Sequence, residues 1–210
     1  MKKVIKEIRE GSVTYGIDDK GVLKKMHNDL PNESVMIPRV LPSGDVITAI
    51  GARFIQGEAF DKIDISDEIT WVKANAFKYA NVRAVRWSAG CKKISDNCFE
   101  ESTIETLTGI EKVRDIEDGA FMFSHLSSIA WPKHCTVIPK NCFKGCILSI
   151  SNIEKVLYIC DGAFERVRFT GPADFSHIPL AEGDSFKDAD TSKIVLPREY
   201  IPLAGPLNFI

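Results

Sequence analysis

Nothing in this 210-residue chain is long and apolar enough to read as a membrane span. The longest stretch free of Asp, Glu, Lys and Arg runs from Gly119 to Pro132, and Ser, His and Pro interrupt it; a spanning helix needs about 20 apolar residues. An excess of charge of either sign is also missing. Lys plus Arg number 27 and Asp plus Glu 29, a formal charge of −2, so no global field draws the chain to nucleic acid or an anionic membrane. Cys-x-x-Cys, Gly-x-Ser-x-Gly, His-Glu-x-x-His and the phosphate-loop glycine pattern are all missing. With no such constellation, catalysis has no positive support, and no cofactor and no metal is expected. At the N-terminus, Met1-Lys2-Lys3 begins like an export signal, but Lys6, Glu7, Arg9 and Glu10 break any apolar segment. The expectation is a cytoplasmic chain, or a secreted or cell-surface one if an export segment precedes this numbering.

What the chain has is a period. Seven of the 12 Phe residues share one register, Phe60, Phe77, Phe99, Phe121, Phe143, Phe164 and Phe186, with gaps of 17, 22, 22, 22, 21 and 22. A small residue stands before each: Ala59, Ala76, Cys98, Ala120, Cys142, Ala163 and Ser185. Five places before it comes an aliphatic, from Ile55 and Val72 through Ile94, Ile116 and Ile138 to Ile159. After the Phe, Val82, Val85 and Trp87 are answered by Leu126, Ile129 and Trp131, and Ile104-Glu-Thr-Leu107-Thr-Gly-Ile110-Glu-Lys-Val113 by Ile147-Leu-Ser-Ile150-Ser-Asn-Ile153-Glu-Lys-Val156. The alternating part predicts a short, half-buried strand, and the aromatic part a turn or a short helical return leg. One strand and one return leg in about 22 residues make one coil of a right-handed solenoid, and each coil buries its apolar edges only by stacking on its neighbours.

The unit Ile116-Glu-Asp-Gly119-Ala120-Phe121, then Leu126-Ser-Ser-Ile129-Ala-Trp131-Pro132, ending in Val137-Ile138, resembles the BspA-like class of leucine-rich repeats. The resemblance implies a leucine-rich-repeat solenoid, mixed α/β leaning to β, of about seven coils. It also implies an interaction or adhesion module. The predicted organisation is one continuous domain. Residues 1–46 form an N-terminal β cap built from strands at Gly11–Ile17, Val22–Leu23 and Ser34–Pro38. Residues 47–201 are the solenoid, and 202–210 are an apolar C-terminal cap or tail. The sixth coil, with Pro172 and Asp174 where aliphatics are expected, is irregular and could carry a binding loop.

The six cysteines fall into repeat slots. Cys98 and Cys142 take the small place before Phe, and Cys91 and Cys135 the aliphatic place held by Val113. They read as small core hydrophobes, free thiols that favour a reducing compartment. An enzyme in the sixth coil, using His177, Asp174 or Asp184, is the most distant alternative.

Stacked strands would present one outward ladder. Its middle places read Asp64, Arg86, Thr108, Ala130, Ser151 and Val195, and a second column reads Lys62, Ala84, Thr106, Ser128, Ser149 and Lys193. Small, weakly polar side chains let a partner backbone approach, so the expected partner is a protein or extended peptide rather than a pocketed metabolite. Candidate contact residues are Arg83, Arg86, Glu105, Thr106, Thr108 and Ser128, with Trp71 as an exposed anchor outside the apolar slots. The leading reading is a non-catalytic protein-interaction scaffold. The alternative is a surface or secreted adhesin or carbohydrate-binding module.

Overall fold

The computed structural model describes residues 5–30 and 32–200; the predicted tail at 202–210 lies outside the described residues. Seven strands form the main sheet, all parallel, in the order Ser34–Ile37, Ala59–Ile65, Asn81–Arg86, Thr103–Thr108, His125–Ala130, Ile147–Ser151 and Arg168–Phe169. Successive strands pair one coil on, as in Lys62 opposite Ala84, Ala84 opposite Thr106, Thr106 opposite Ser128 and Ser128 opposite Ser149. Short parallel pairings mark a second side of the coil: Lys93–Ile94 with Asp115–Ile116, and Val137–Ile138 with Tyr158–Ile159 and then Leu180–Ala181. Between the two sides lies a continuous core of strand aliphatics, Trp87, Trp131 and the Phe rings.

The rings stack along the solenoid. Phe77, Phe99, Phe121, Phe143, Phe164 and Phe186 follow one another with centroids 5.0, 5.4, 5.3, 5.5 and 5.1 Å apart and near-parallel planes. Below Phe77 comes Phe54, edge-on at 5.1 Å. Phe60 is not in the stack. It lies within the strand Ala59–Ile65, opposite Val82. The shortened first coil is therefore corrected: with Phe54 in place of Phe60 the first gap becomes 23. Seven rings bound six intervals, so the solenoid makes about six turns rather than seven.

The return legs are turns, which corrects the helical legs and the mixed α/β class. Among the described residues the only helical segment is a single 3-10 turn, Ile110–Lys112. The cause is local. Two residues before the Phe stands a left-handed residue (Asn75 φ 59°, Asn97 50°, Gly119 61°, Asn141 53°, Gly162 64°), and two residues after it another (Tyr79 62°, Glu101 52°, Phe123 56°, Gly145 71°, Arg166 56°). A right-handed helix cannot run through such positions. The turns hydrogen-bond to the next coil instead. The N–H of Phe77 donates to Cys98 O at 2.8 Å, Phe99 to Ala120 O at 2.8 Å, Phe121 to Cys142 O at 2.9 Å and Phe143 to Ala163 O at 2.8 Å. Small residues precede Phe because that place is buried against the stack: Ala76, Cys98, Ala120, Cys142 and Ala163 are all buried.

At the N-terminal end Lys6–Glu10, Val13–Ile17 and Val22–Asn28 form an antiparallel meander, to which Ala49–Ile50 adds in parallel. The Asp18 carboxylate accepts from the N–H groups of Lys20 and Val22 at 2.9 and 3.0 Å and fixes the turn between two of these strands. Tyr15 is buried and donates its hydroxyl to Met36 O, tying this sheet to the first strand of the main sheet. At the other end the sixth coil splits. Arg168–Phe169 closes the main sheet, and after Pro172 the chain resumes as Ala173–Asp174, paired with Ile194–Val195 in a separate two-stranded sheet. Lys193 and Val195 therefore do not continue the outward columns.

Candidate functional site

The outward side chains of the main sheet form one surface. Arg83, Glu105, Thr106, Thr108 and Ser128 are exposed on it and Arg86 is half-buried. Six of the seven residues singled out above thus lie on adjoining strands. Trp71 does not join them. It flanks the isolated bridge between Ile50 and Val72, outside the main sheet, 58% exposed with the Lys73 ammonium 4.9 Å from its ring centroid.

The charges at the N-terminal end of this face are spent on one another. Arg83 Nε donates to Asp61 at 2.6 Å, and Arg86 reaches Asp64 at 3.0 Å and Asp67 at 2.8 Å. Hydrogen bonding to the Arg83 guanidinium holds the Asp61 carboxyl below its ordinary value, and Asp61 in turn raises Arg83. From Thr103 onward the face is short and hydroxylated. Thr103, Thr106, Thr108, Ser127, Ser128 and Ser151 are exposed, and Glu105 and Arg168 are the charges among them. Such a surface offers hydroxyl donors and acceptors, with the larger side chains His125, Ile147 and Arg168 confined to the column where the strands begin.

No arrangement for chemistry was found in the irregular coil. The His177 imidazole meets Ile153 O at 3.0 Å, Asp174 accepts from the Ser176 N–H at 2.8 Å, and Asp184 pairs with Lys187 at 3.2 Å. Asp174 and His177 line one cleft, and Asp184 is engaged apart from them. All six cysteines are free. Burial pushes the Cys135 thiol up to about 12 and the Cys146 thiol to about 11, and it raises Cys91, Cys98, Cys142 and Cys160 as well. A thiol held protonated is a poor nucleophile and a poor ligand. Among the described residues no three His, Cys, Asp or Glu side chains converge as metal ligands, and no helix is long and apolar enough to cross a membrane.

Sequence reasoning missed the clefts at the C-terminal ends of the strands. One, of about 330 Å³, is lined by Leu107, Thr108, Ile110, Glu111, Trp131, His134 and Asn152 among others. Its signal was visible in the matching Ile110-Glu-Lys-Val113 and Ile153-Glu-Lys-Val156 segments, but what those segments enclose depends on how the coils stack. Another cleft, about 440 Å³, lies in the N-terminal sheet between Asp18–Gly21 and Asp45–Thr48. The Asp18 carboxylate there is already engaged in its turn.

Six copies of the BspA type leucine rich repeat region match residues 48–169. Among solved structures, a leucine rich cell surface protein from Faecalibacterium prausnitzii A2-165 superposes with a TM-score of 0.61 at 18% identity, over 90% of this chain and 53% of its own. The pneumococcal vaccine antigen PcpA does so with a TM-score of 0.51 at 15% identity, over 92% of this chain and 49% of its own. The chain therefore spans about half the length of these structures, and at such identities the likeness is one of fold. No curated protein is significantly similar in sequence.

Proposed function

The chain belongs to the BspA-type leucine-rich-repeat family, and from that premise we propose that it is a non-catalytic scaffold that binds a protein or extended peptide through the outward face of its main sheet. One observation carries the reading: between Thr103 and Ser151 that face exposes mostly small, hydroxylated side chains on adjoining strands, with Glu105, His125 and Ile147 as its larger members, bordered by arginines whose charge is internally paired. Solenoids use extended faces of this kind for macromolecular partners. The proposed contacts are Arg83, Arg86, Glu105, Thr106, Thr108 and Ser128, with Trp71 as a separate anchor. The N-terminal meander from Lys6 to Asn28 serves as the cap; Ser34–Ile37, expected in that cap, belongs instead to the main sheet as its first strand. A triple variant, Arg83→Glu, Thr106→Glu and Ser128→Glu, tests the reading in an affinity capture against wild type after both are shown to melt alike. A partner held by wild type and lost by the variant supports it. Equal retention sinks it.

A second reading, a cell-surface or secreted adhesin or carbohydrate-binding module, is favoured by the description of one structural neighbour as a cell surface protein. Protease shaving of intact cells separates it from a cytoplasmic scaffold. Loss of the protein from shaved cells supports the surface reading, and full protection refutes it.

A further inference from the structure

The coils do not repeat singly where the strands end. In two of them a Trp closes the strand and its indole N–H donates to a carbonyl four residues on, Trp87 to Cys91 O at 3.2 Å and Trp131 to Cys135 O at 2.8 Å. In the alternate coils that place holds a left-handed residue, Gly109 (φ 79°) or Asn152 (φ 60°), followed by Ile-Glu-Lys-Val. The structural unit at this edge is therefore a pair of coils, and each pair leaves a cleft. The first is lined by Leu107, Thr108, Ile110, Glu111 and His134. The second, of about 310 Å³, is lined by Ile150, Ser151, Ile153, Glu154 and His177. Each residue of the second set stands 43 places after its counterpart in the first. Asn152 lines both clefts, so they adjoin and run along the stack as one groove.

The two halves share a chemistry: an apolar floor from Ile110 or Ile153, a hydroxyl at the strand end from Thr108 or Ser151, and a carboxylate wall from Glu111 or Glu154. Neither glutamate is held in an ion pair among the described residues, in contrast to Asp61, Asp64 and Asp67 on the neighbouring face. An apolar floor below a free carboxylate suits the aliphatic stem and cationic head of an arginine or lysine. The spacing selects the backbone that carries them. Strands stack about 4.8 Å apart, so equivalent points two coils apart are separated by about 9.6 Å. A polyproline II helix rises about 3.1 Å per residue with three residues per turn, so its residues i and i+3 share a face about 9.3 Å apart. In a β-strand residues i and i+3 point to opposite faces.

We propose that this groove binds a proline-rich segment in the polyproline II conformation, with basic residues three apart seated against Glu111 and Glu154. The inference goes beyond the face proposed above, by naming a second surface, the edge where the strands end, and the class of peptide that it takes. Lys133 lines the first cleft, whereas the lining of the second includes Asp174 as well as Glu154 and no lysine. The second cleft is therefore the stronger cation seat.

The test uses fluorescence anisotropy of a labelled proline-rich hexapeptide with arginines at its second and fifth positions. It is set against one with arginines at the second and fourth positions, and one with glutamates in place of both arginines. The expected result is at least tenfold tighter binding of the first peptide than of either control. Glu154→Gln should weaken it about tenfold and Glu111→Gln less. Binding that ignores arginine spacing, or that survives Glu154→Gln together with Glu111→Gln, overturns the proposal, as does no binding at all. Arg83, Thr106 and Ser128 line neither cleft, which keeps the two readings separable. If their triple variant loses the captured partner while the peptide ignores the glutamates, the groove is wrong and the face stands. If the peptide binds through Glu154 and the triple variant captures as wild type does, the face is wrong and the groove stands.

Discussion

Replacing Phe121 by alanine should take away a third or more of the stability of this fold. The ring is 1% exposed and lies between Phe99 and Phe143, with centroids 5.4 and 5.3 Å away and planes within 3° and 7° of parallel. A buried Phe→Ala change costs about 3–5 kcal/mol. Loss of two stacked partners puts this site at the upper end, since each aromatic pair adds about 0.5–1.5 kcal/mol beyond area. Collapse cannot refill the space cheaply, because the backbone on both sides is tied from coil to coil by the Phe99 N–H to Ala120 O and Phe121 N–H to Cys142 O bonds. Set against a total of about 5–15 kcal/mol for a domain, a loss near 5 is decisive. The assay is urea unfolding followed by both far-ultraviolet dichroism and tryptophan fluorescence. Trp87 and Trp131 pack on Phe99 and Phe143 on either side of the lesion. The unfolding midpoint should fall sharply, and the two signals should part as the halves of the stack uncouple. Phe123 supplies the control, being exposed and left-handed only two residues away. Phe123→Gly should stay within about 1 kcal/mol of wild type, because relief of the left-handed backbone offsets the entropy of glycine. Should Phe121→Ala lose less than about 1.5 kcal/mol, or no more than Phe123→Gly, the ring stack does not hold the coils together.

Gly145→Ala should destabilise by about 1–2 kcal/mol, since its φ is 71° and an added Cβ would stand 2.3 Å from the Phe123 ring; adding Phe123→Ala should recover part of that in thermal melts, and no recovery would show that backbone conformation alone sets the cost. The buried thiols set an alkaline limit. Their folded values lie above the ordinary 9.0, at about 11 for Cys146 and about 12 for Cys135, so the unfolded chain releases these protons first. Stability should be flat below the unfolded thiol value and fall as pH rises from about 9 toward 12; Cys146→Ala should make the fall shallower, and an unchanged pH profile would contradict the assignment. Arg83→Ala should leave the melting temperature unchanged, because its pair with Asp61 is exposed; a clear drop would show that this ion pair stabilises the fold.

The period was legible because burial imposes it: a ring that stacks on its own image 22 residues on has to recur. The start of the stack was not. Ala59-Phe60, with Ile55 five places earlier, imitates Ala76-Phe77 with Val72, whereas the true first ring, Phe54, follows Arg53. A signature of residue types cannot separate a strand Phe from a turn Phe when both are buried. The turns were half legible. Asn75, Asn97 and Gly119 announce left-handed positions, but Tyr79, Glu101, Arg166 and Phe123 occupy the same conformation without a composition that signals it. The outward columns followed from period-two alternation as far as Ser149 and Ser151 and failed at Lys193 and Val195, because Pro172 ends the alternation and opens a separate sheet. The groove stayed hidden because its walls come from four successive coils.

The bonds that join these coils have a mechanical consequence. Neighbouring strands pair one coil on, and the N–H of each return-leg Phe from Phe77 to Phe164 bonds to the carbonyl just before the next Phe. A load pulling the two ends apart therefore meets one interface at a time. Once a terminal coil peels away, the next is held as the last one was, and each release frees about 22 residues, roughly 70–80 Å of extended chain. Under tension such a molecule pays out in equal lengths, like a rope unwinding turn by turn from a drum.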